Sequence, residues 1–79
     1  MGTTIGENVK KRRKAAGLTQ ERLARATDMS LRVVTSLEQG EVTDPRASTL
    51  MALAKALGCG VDDLLKGTAD SLRKGGKDR

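Results

Sequence analysis

Phe, Tyr and Trp are absent from all 79 residues, and this restricts the fold more than any other feature of the chain. Without aromatic rings the interior has to be filled by Ile, Val, Leu, Met and Ala, a set that suits a small helix bundle better than a sheet-rich fold. A chain of this length buries only about 60% of the surface its unfolded form exposes, so one domain with a modest core is expected. Cys59 is the only cysteine and histidine is absent, which rules out an internal disulfide and leaves no zinc-ligand set. No cofactor is expected. The same deficit argues against an enzyme, since neither a nucleophile with its base nor a metal set can be assembled. No apolar run approaches the ~20 residues that span a bilayer, and the N-terminus lacks the pattern of a secretory signal. A cytoplasmic protein without membrane attachment is therefore expected.

The net charge of +5 divides unevenly: residues 66–79 carry five basic and two acidic residues, leaving ten basic and eight acidic for the rest. Charge alone is thus a weak sign of a nucleic-acid partner. Most of the body's excess lies in the run Lys10 to Lys14, which read in isolation is a solvated helix face. The pattern of caps and apolar positions has to decide.

Thr4 and Glu7 have the spacing of a capping box, so a first helix starts at Ile5, and Gly17 suits the left-handed conformation that ends it. Ile5, Val9 and Ala16 lie near one face with the stems of Arg12 and Arg13 between them, which implies that one arginine has a buried partner. Thr19 caps a short second helix that turns Leu23 and Ala24 inward, and the segment from Ala26 to Met29 interrupts it. Ser30 caps a third helix with Val34 and Leu37 inward; Met29 and Val34 fit a hydrophobic staple, and Gly40 stops the helix. Asp44 before Pro45 caps a fourth helix, with Ser48 as the competing cap. Leu50, Leu53, Ala54 and Leu57 repeat along that helix until Gly58. A fifth helix covers Val61 to Leu65. Cys59 reads as a small buried hydrophobe and Asp62 with Asp63 as the charged first turn of helix five. Residues 1–65 form the domain, and residues 66–79 read as a disordered tail or a frayed helix. The fold class is all-α, a five-helix bundle.

Two short helices joined by a tight turn form a helix-turn-helix unit, whose second helix enters the major groove. The stretch from Ile5 to Leu65 resembles the Cro and phage-repressor family, also called the xenobiotic-response-element family, with a lambda-repressor-like fold. The resemblance is carried by Gly17-Leu18-Thr19-Gln20-Glu21, Leu23-Ala24, Ser30 with Val34, Leu37-Glu38-Gln39-Gly40, and Leu53 to Gly58 followed by Asp62-Asp63-Leu64-Leu65. Two departures stand out: Asp28 replaces the usual glycine of the inter-helix turn, and Arg46 replaces a small cap at the entrance of helix four. Aspartate tolerates the left-handed conformation better than most residues.

On helix three, Leu31, Arg32, Thr35, Ser36 and Gln39 point outward when Val34 and Leu37 point inward. Leu31, Arg32, Thr35 and Ser36 are the candidate base contacts; a guanidinium at Arg32 can bond guanine O6 and N7 together, and Leu31 or the Thr35 methyl can touch a thymine methyl. The resemblance implies that Gln20 donates to a DNA phosphate. Ser30, Gln39, Thr43, Arg46 and Arg12 are the further candidate phosphate contacts. It also implies a structural ion pair between Arg13 and Glu38, and pairing of two chains through the C-terminal region, for which Val61, Leu64 and Leu65 are candidates. The expected function is a sequence-specific regulator of transcription, a repressor, binding double-stranded DNA as a weak homodimer. The alternative is an antitoxin that occupies a toxin protein and regulates its own operon.

Overall fold

Thr4 starts the first helix as the spacing demands: its hydroxyl accepts the Glu7 N–H at 3.1 Å, and the Glu7 carboxylate accepts the Thr4 N–H at 3.2 Å. In the computed structural model, which describes residues 3–42 and 44–68, this helix is α1, Ile5–Ala15. It is followed by α2, Gln20–Thr27, α3, Leu31–Glu38, α4, Ala47–Leu57, and α5, Val61–Leu65. The architecture is all-helical. Each of α2 and α3 is capped by the hydroxyl preceding it, Thr19 bonding Arg22 N and Ser30 bonding Val33 N, so both begin where the chain offers a side-chain acceptor to an orphan N–H. Gly58 closes α4 in the left-handed conformation at φ 70°.

The core is a single cluster of Ile5, Val9, Leu23, Ala24, Val34, Leu37, Leu53, Ala54 and Leu64, with Leu18, Met29, Leu50 and Cys59 among the half-buried residues packed on it. These residues place α2 against α3 and α4, and α1 against α3 and α5. Gly6 lets α1 approach α3: a Cβ there would overlap the Leu37 carbonyl oxygen.

Several expectations are corrected. Helix one ends at Ala15, and Ala16 is its exposed cap rather than part of the buried face. Helix two is not interrupted at Ala26; it runs through Thr27, whose buried hydroxyl bonds back to the Leu23 carbonyl at 2.8 Å, and the reversal is confined to Asp28 at φ 59°, ψ 35°. Neither Asp44 nor Ser48 caps helix four. Its cap is Arg46, with no side-chain bond to the helix, because the chain stays extended one residue past Pro45. Leu64 is fully buried within one chain, so it closes this core and is withdrawn from the candidate dimer contacts. Val61 and Leu65 are half-buried.

The boundary at Leu65 is also too early. Asn8 donates from its amide to the carbonyls of Leu64 and Lys66, at 2.8 and 3.0 Å. Thr3 N donates to Gly67 O at 3.1 Å, and Thr68 is buried with its hydroxyl on Leu65 O at 2.6 Å. Residues 66–68 thus belong to the packed body. The remainder of the expected tail, residues 69–79, lies outside the described residues, as does Thr43.

Candidate nucleic-acid interface

The turn between α2 and α3 is short because its two ends are satisfied locally. Asp28 takes the left-handed conformation, the Met29 N–H returns to Ala24 O at 2.9 Å, and Ser30 begins α3. With Val34 and Leu37 committed to the core, the opposite face of α3 is left to solvent: Leu31, Arg32 and Val33 are exposed, Thr35 and Ser36 half-buried, and Gln39 exposed at the C-cap. This is a polar and apolar surface that the fold itself does not use. The Thr35 hydroxyl donates to Leu31 O at 2.8 Å, so its one proton is committed and the side chain offers outward a methyl and acceptor lone pairs. Ser30 accepts from Val33 N through its oxygen and keeps its own O–H to donate.

The far end of α3 is anchored by charge. Arg13 Nε donates to Glu38 Oε2 at 2.7 Å and Arg13 Nη2 to Oε1 at 3.1 Å, while Arg13 Nη1 donates to Leu18 O at 2.8 Å. The two side chains are only 10% and 2% exposed. This two-pronged geometry is the strong form of a carboxylate pair, and the extra bond to Leu18 uses the remaining guanidinium edge. Gln20, half-buried in the first turn of α2, donates from Nε2 to Glu38 Oε1 at 3.0 Å.

The structure divides the expected site residues into groups. Leu31, Arg32, Thr35, Ser36 and Gln39 share α3, with Ser30 capping it and Gln20 joined to its last residue. Arg46 lies beside α3 through a groove lined by Val33, Leu37, Val42, Pro45 and Thr49. Arg12 is not brought to this set. It pairs with Asp63 Oδ1 at 3.4 Å and lines a different groove, with Thr3, Asn8, Lys11 and Lys66, between α1 and α5. Adjacent helical residues point about 100° apart, and Arg13 takes the α3 side. Arg12 is therefore withdrawn from the candidate phosphate contacts.

Two features were missed from the sequence. Val33 is exposed on α3 and lines the Arg46 groove; the helical spacing that turns Val34 inward could have shown it. The Gln20 to Glu38 bond spans 18 positions and carries no local signal. Among the described residues no group of side chains could hold a metal ion, and no helix is long and apolar enough to cross a membrane.

A helix-turn-helix family model matches residues 9–64. The chain is 38% identical over 63 residues to repressor protein C2 of Salmonella phage P22, covering 80% of this chain and 29% of that protein. It thus spans less than a third of that relative's length. Among solved structures, the P22 c2 repressor protein in complex with a synthetic operator matches at TM-score 0.75 and 35% identity, covering 82% of this chain and 97% of that one. SinR, the master regulator for biofilm formation, in complex with DNA, matches at TM-score 0.77 and 27% identity, over 80% and 100% of the two chains. The restriction-modification controller protein C.AhdI from Aeromonas hydrophila matches at TM-score 0.72 and 28% identity, over 76% and 89%. With the family match spanning α2 to α5 and most of α1, and a phage repressor aligned over nearly its whole structure, the chain belongs to the helix-turn-helix family of the Cro and phage-repressor type.

Proposed function

We propose that this chain is a sequence-specific, double-stranded DNA-binding transcription regulator, a repressor, that reads the major groove with α3. The observation that carries this reading is the solvent-facing side of α3, capped at Ser30 and held at Glu38, presenting Arg32 on the same face as Leu31 and Thr35. The operator-bound structure of the similar P22 c2 repressor supports it. Arg32 is the base reader, and Leu31 and the Thr35 methyl are the apolar contacts. Gln20, Ser30, Gln39, Thr43 and Arg46 hold the phosphates on either side. Lys10 joins them: Gly6 and Arg13 both face α3, and Lys10 lies between them on the same face of α1, exposed. Two chains pair weakly through Val61 and Leu65, setting two recognition helices about 34 Å apart on a two-fold site. The protein acts in the cytoplasm without catalysis.

Binding to a randomised duplex library tests the assignment. Arg32→Ala is expected to cost about 1–3 kcal/mol on the preferred site and to flatten preference at about one base pair, whereas Gln20→Ala weakens all sequences by similar factors. An unchanged preference in Arg32→Ala removes Arg32 from base reading. Loss of all binding on truncation after Thr68, which leaves the packed body whole, removes the helix-turn-helix from the function.

A further inference from the structure

One carboxylate joins three helices. Glu38 ends α3, takes two bonds from Arg13 of α1, and accepts a third, at 3.0 Å, from the Gln20 amide in the first turn of α2. Surface glutamines ordinarily sample several rotamers. Here a charge-assisted bond into a nearly dry site holds the side chain in one. An amide is planar and has two N–H groups, so fixing one on the carboxylate fixes the direction of the other. Arg13 cancels the Glu38 charge, and a phosphate approaching the amide meets a neutral pair rather than a bare anion. The neighbouring backbone is also poised to donate. The first N–H groups of a helix have no partner within it, and of these only the Arg22 N–H is taken by the Thr19 cap hydroxyl among the side-chain bonds of this turn.

We propose that Glu38, beyond its ion pair, is a positioning residue for DNA binding: it holds the Gln20 amide ready in the free protein, one N–H committed and the other left for a phosphate. The inference rests on the phosphate role proposed above for Gln20. Pre-ordering a side chain of this size is worth about three- to tenfold in affinity. Because the same carboxylate ends the recognition helix, the phosphate grip at α2 and the placement of α3 are set by one group.

The test is a double-mutant cycle on the full chain, titrated at low salt against a random-sequence duplex of about 20 base pairs. Gln20→Ala is expected to weaken binding about tenfold in the native protein. In an Arg13→Met, Glu38→Leu background, which removes the acceptor of the Gln20 amide together with the charge it pairs with, it is expected to weaken binding no more than about threefold. Equal losses in both backgrounds overturn the positioning role while leaving the phosphate contact standing. No loss in the native protein overturns the phosphate contact and the positioning role with it. A second measurement needs no variant to fold: ¹⁵N relaxation of the Gln20 side-chain amide in the free protein is expected to approach backbone rigidity, with an order parameter near 0.8. A value below about 0.6 overturns the proposal.

Discussion

Arg12 and Arg13 are neighbours on α1, each paired with a carboxylate on another helix, and the two pairs have little else in common. Arg13 meets Glu38 with two nitrogens, the shorter contact at 2.7 Å, with the side chains 10% and 2% exposed. Arg12 meets Asp63 with one nitrogen at 3.4 Å, and those side chains are 42% and 38% exposed. Water screens the second pair and competes for both partners, so it adds little to stability. Around the first pair water is nearly absent: breaking it strands a charge, although replacing both members by apolar groups need not be unfavourable. The α1–α5 side is instead joined by neutral bonds, Asn8 to Leu64 and Lys66 and Thr3 to Gly67. The α3 side thus fixes orientation with a buried charge, and the α5 side is held to α1 through backbone carbonyls.

The largest effect is expected from Glu38→Ala, a loss of about 3 kcal/mol or more in denaturant melts, since Arg13 is left buried without its carboxylate. In an Arg13→Met background the same change is expected to be much smaller. Equal losses in the two backgrounds break the comparison at its root. Next comes Gly6→Ala, where the added methyl overlaps the Leu37 carbonyl and backbone has to move; overpacking of this kind costs about 1–3 kcal/mol. An unchanged melt shows that α1 and α3 are not so closely seated. Arg12→Ala is expected to change stability by less than about 1 kcal/mol, and a loss comparable to that of Glu38→Ala erases the contrast between the two arginines.

The smallest effect concerns acid. Bonds from the Thr3 hydroxyl, first, and the Thr4 N–H hold the exposed Glu7 carboxyl below its ordinary value of 4.5. A depressed carboxylate contributes stability that is present above its unfolded value and is lost as pH falls through the folded one. An NMR titration of Glu7 is expected to give a midpoint below 4.5 that returns toward it in Thr3→Ala. The half-buried Cys59 thiol moves the other way, pushed up by desolvation against the opposing pull of Arg12, so its alkylation at neutral pH is expected to be slow.

Legibility followed distance along the chain. The caps at Thr4, Thr19 and Ser30 act within three residues, and each was readable because a hydroxyl there has few other uses. The left-handed turn at Asp28 was legible only through the resemblance, which has a glycine there; the local pattern placed the interruption over Ala26 to Met29. The cap of α4 was not legible from residue type, since Asp44 and Ser48 are both good caps; the resemblance put Arg46 at that position, and the extended backbone past Pro45 leaves it there. In the candidate site, the outward positions of α3 follow from helical spacing, but Arg12 was assigned to the wrong side because spacing along α1 gives relative directions and not which helix lies in each.

The sequence by itself determined five short helices, their order and most of their ends, since local hydrogen bonds and apolar spacing act over a few residues. It also determined that the core is built without aromatic side chains. Helical spacing left open which arginine is buried and the resemblance named Arg13; only the tertiary structure decided that Gly6 is a contact point and not a spacer, and that Leu64 closes the core of one chain. The same holds for Asn8, which reaches across 56 positions to Leu64, and for Thr68, which is buried beyond the last helix. Such contacts depend on where helices distant in sequence come to rest, and the free energy that settles this comes from burying the whole apolar cluster at once.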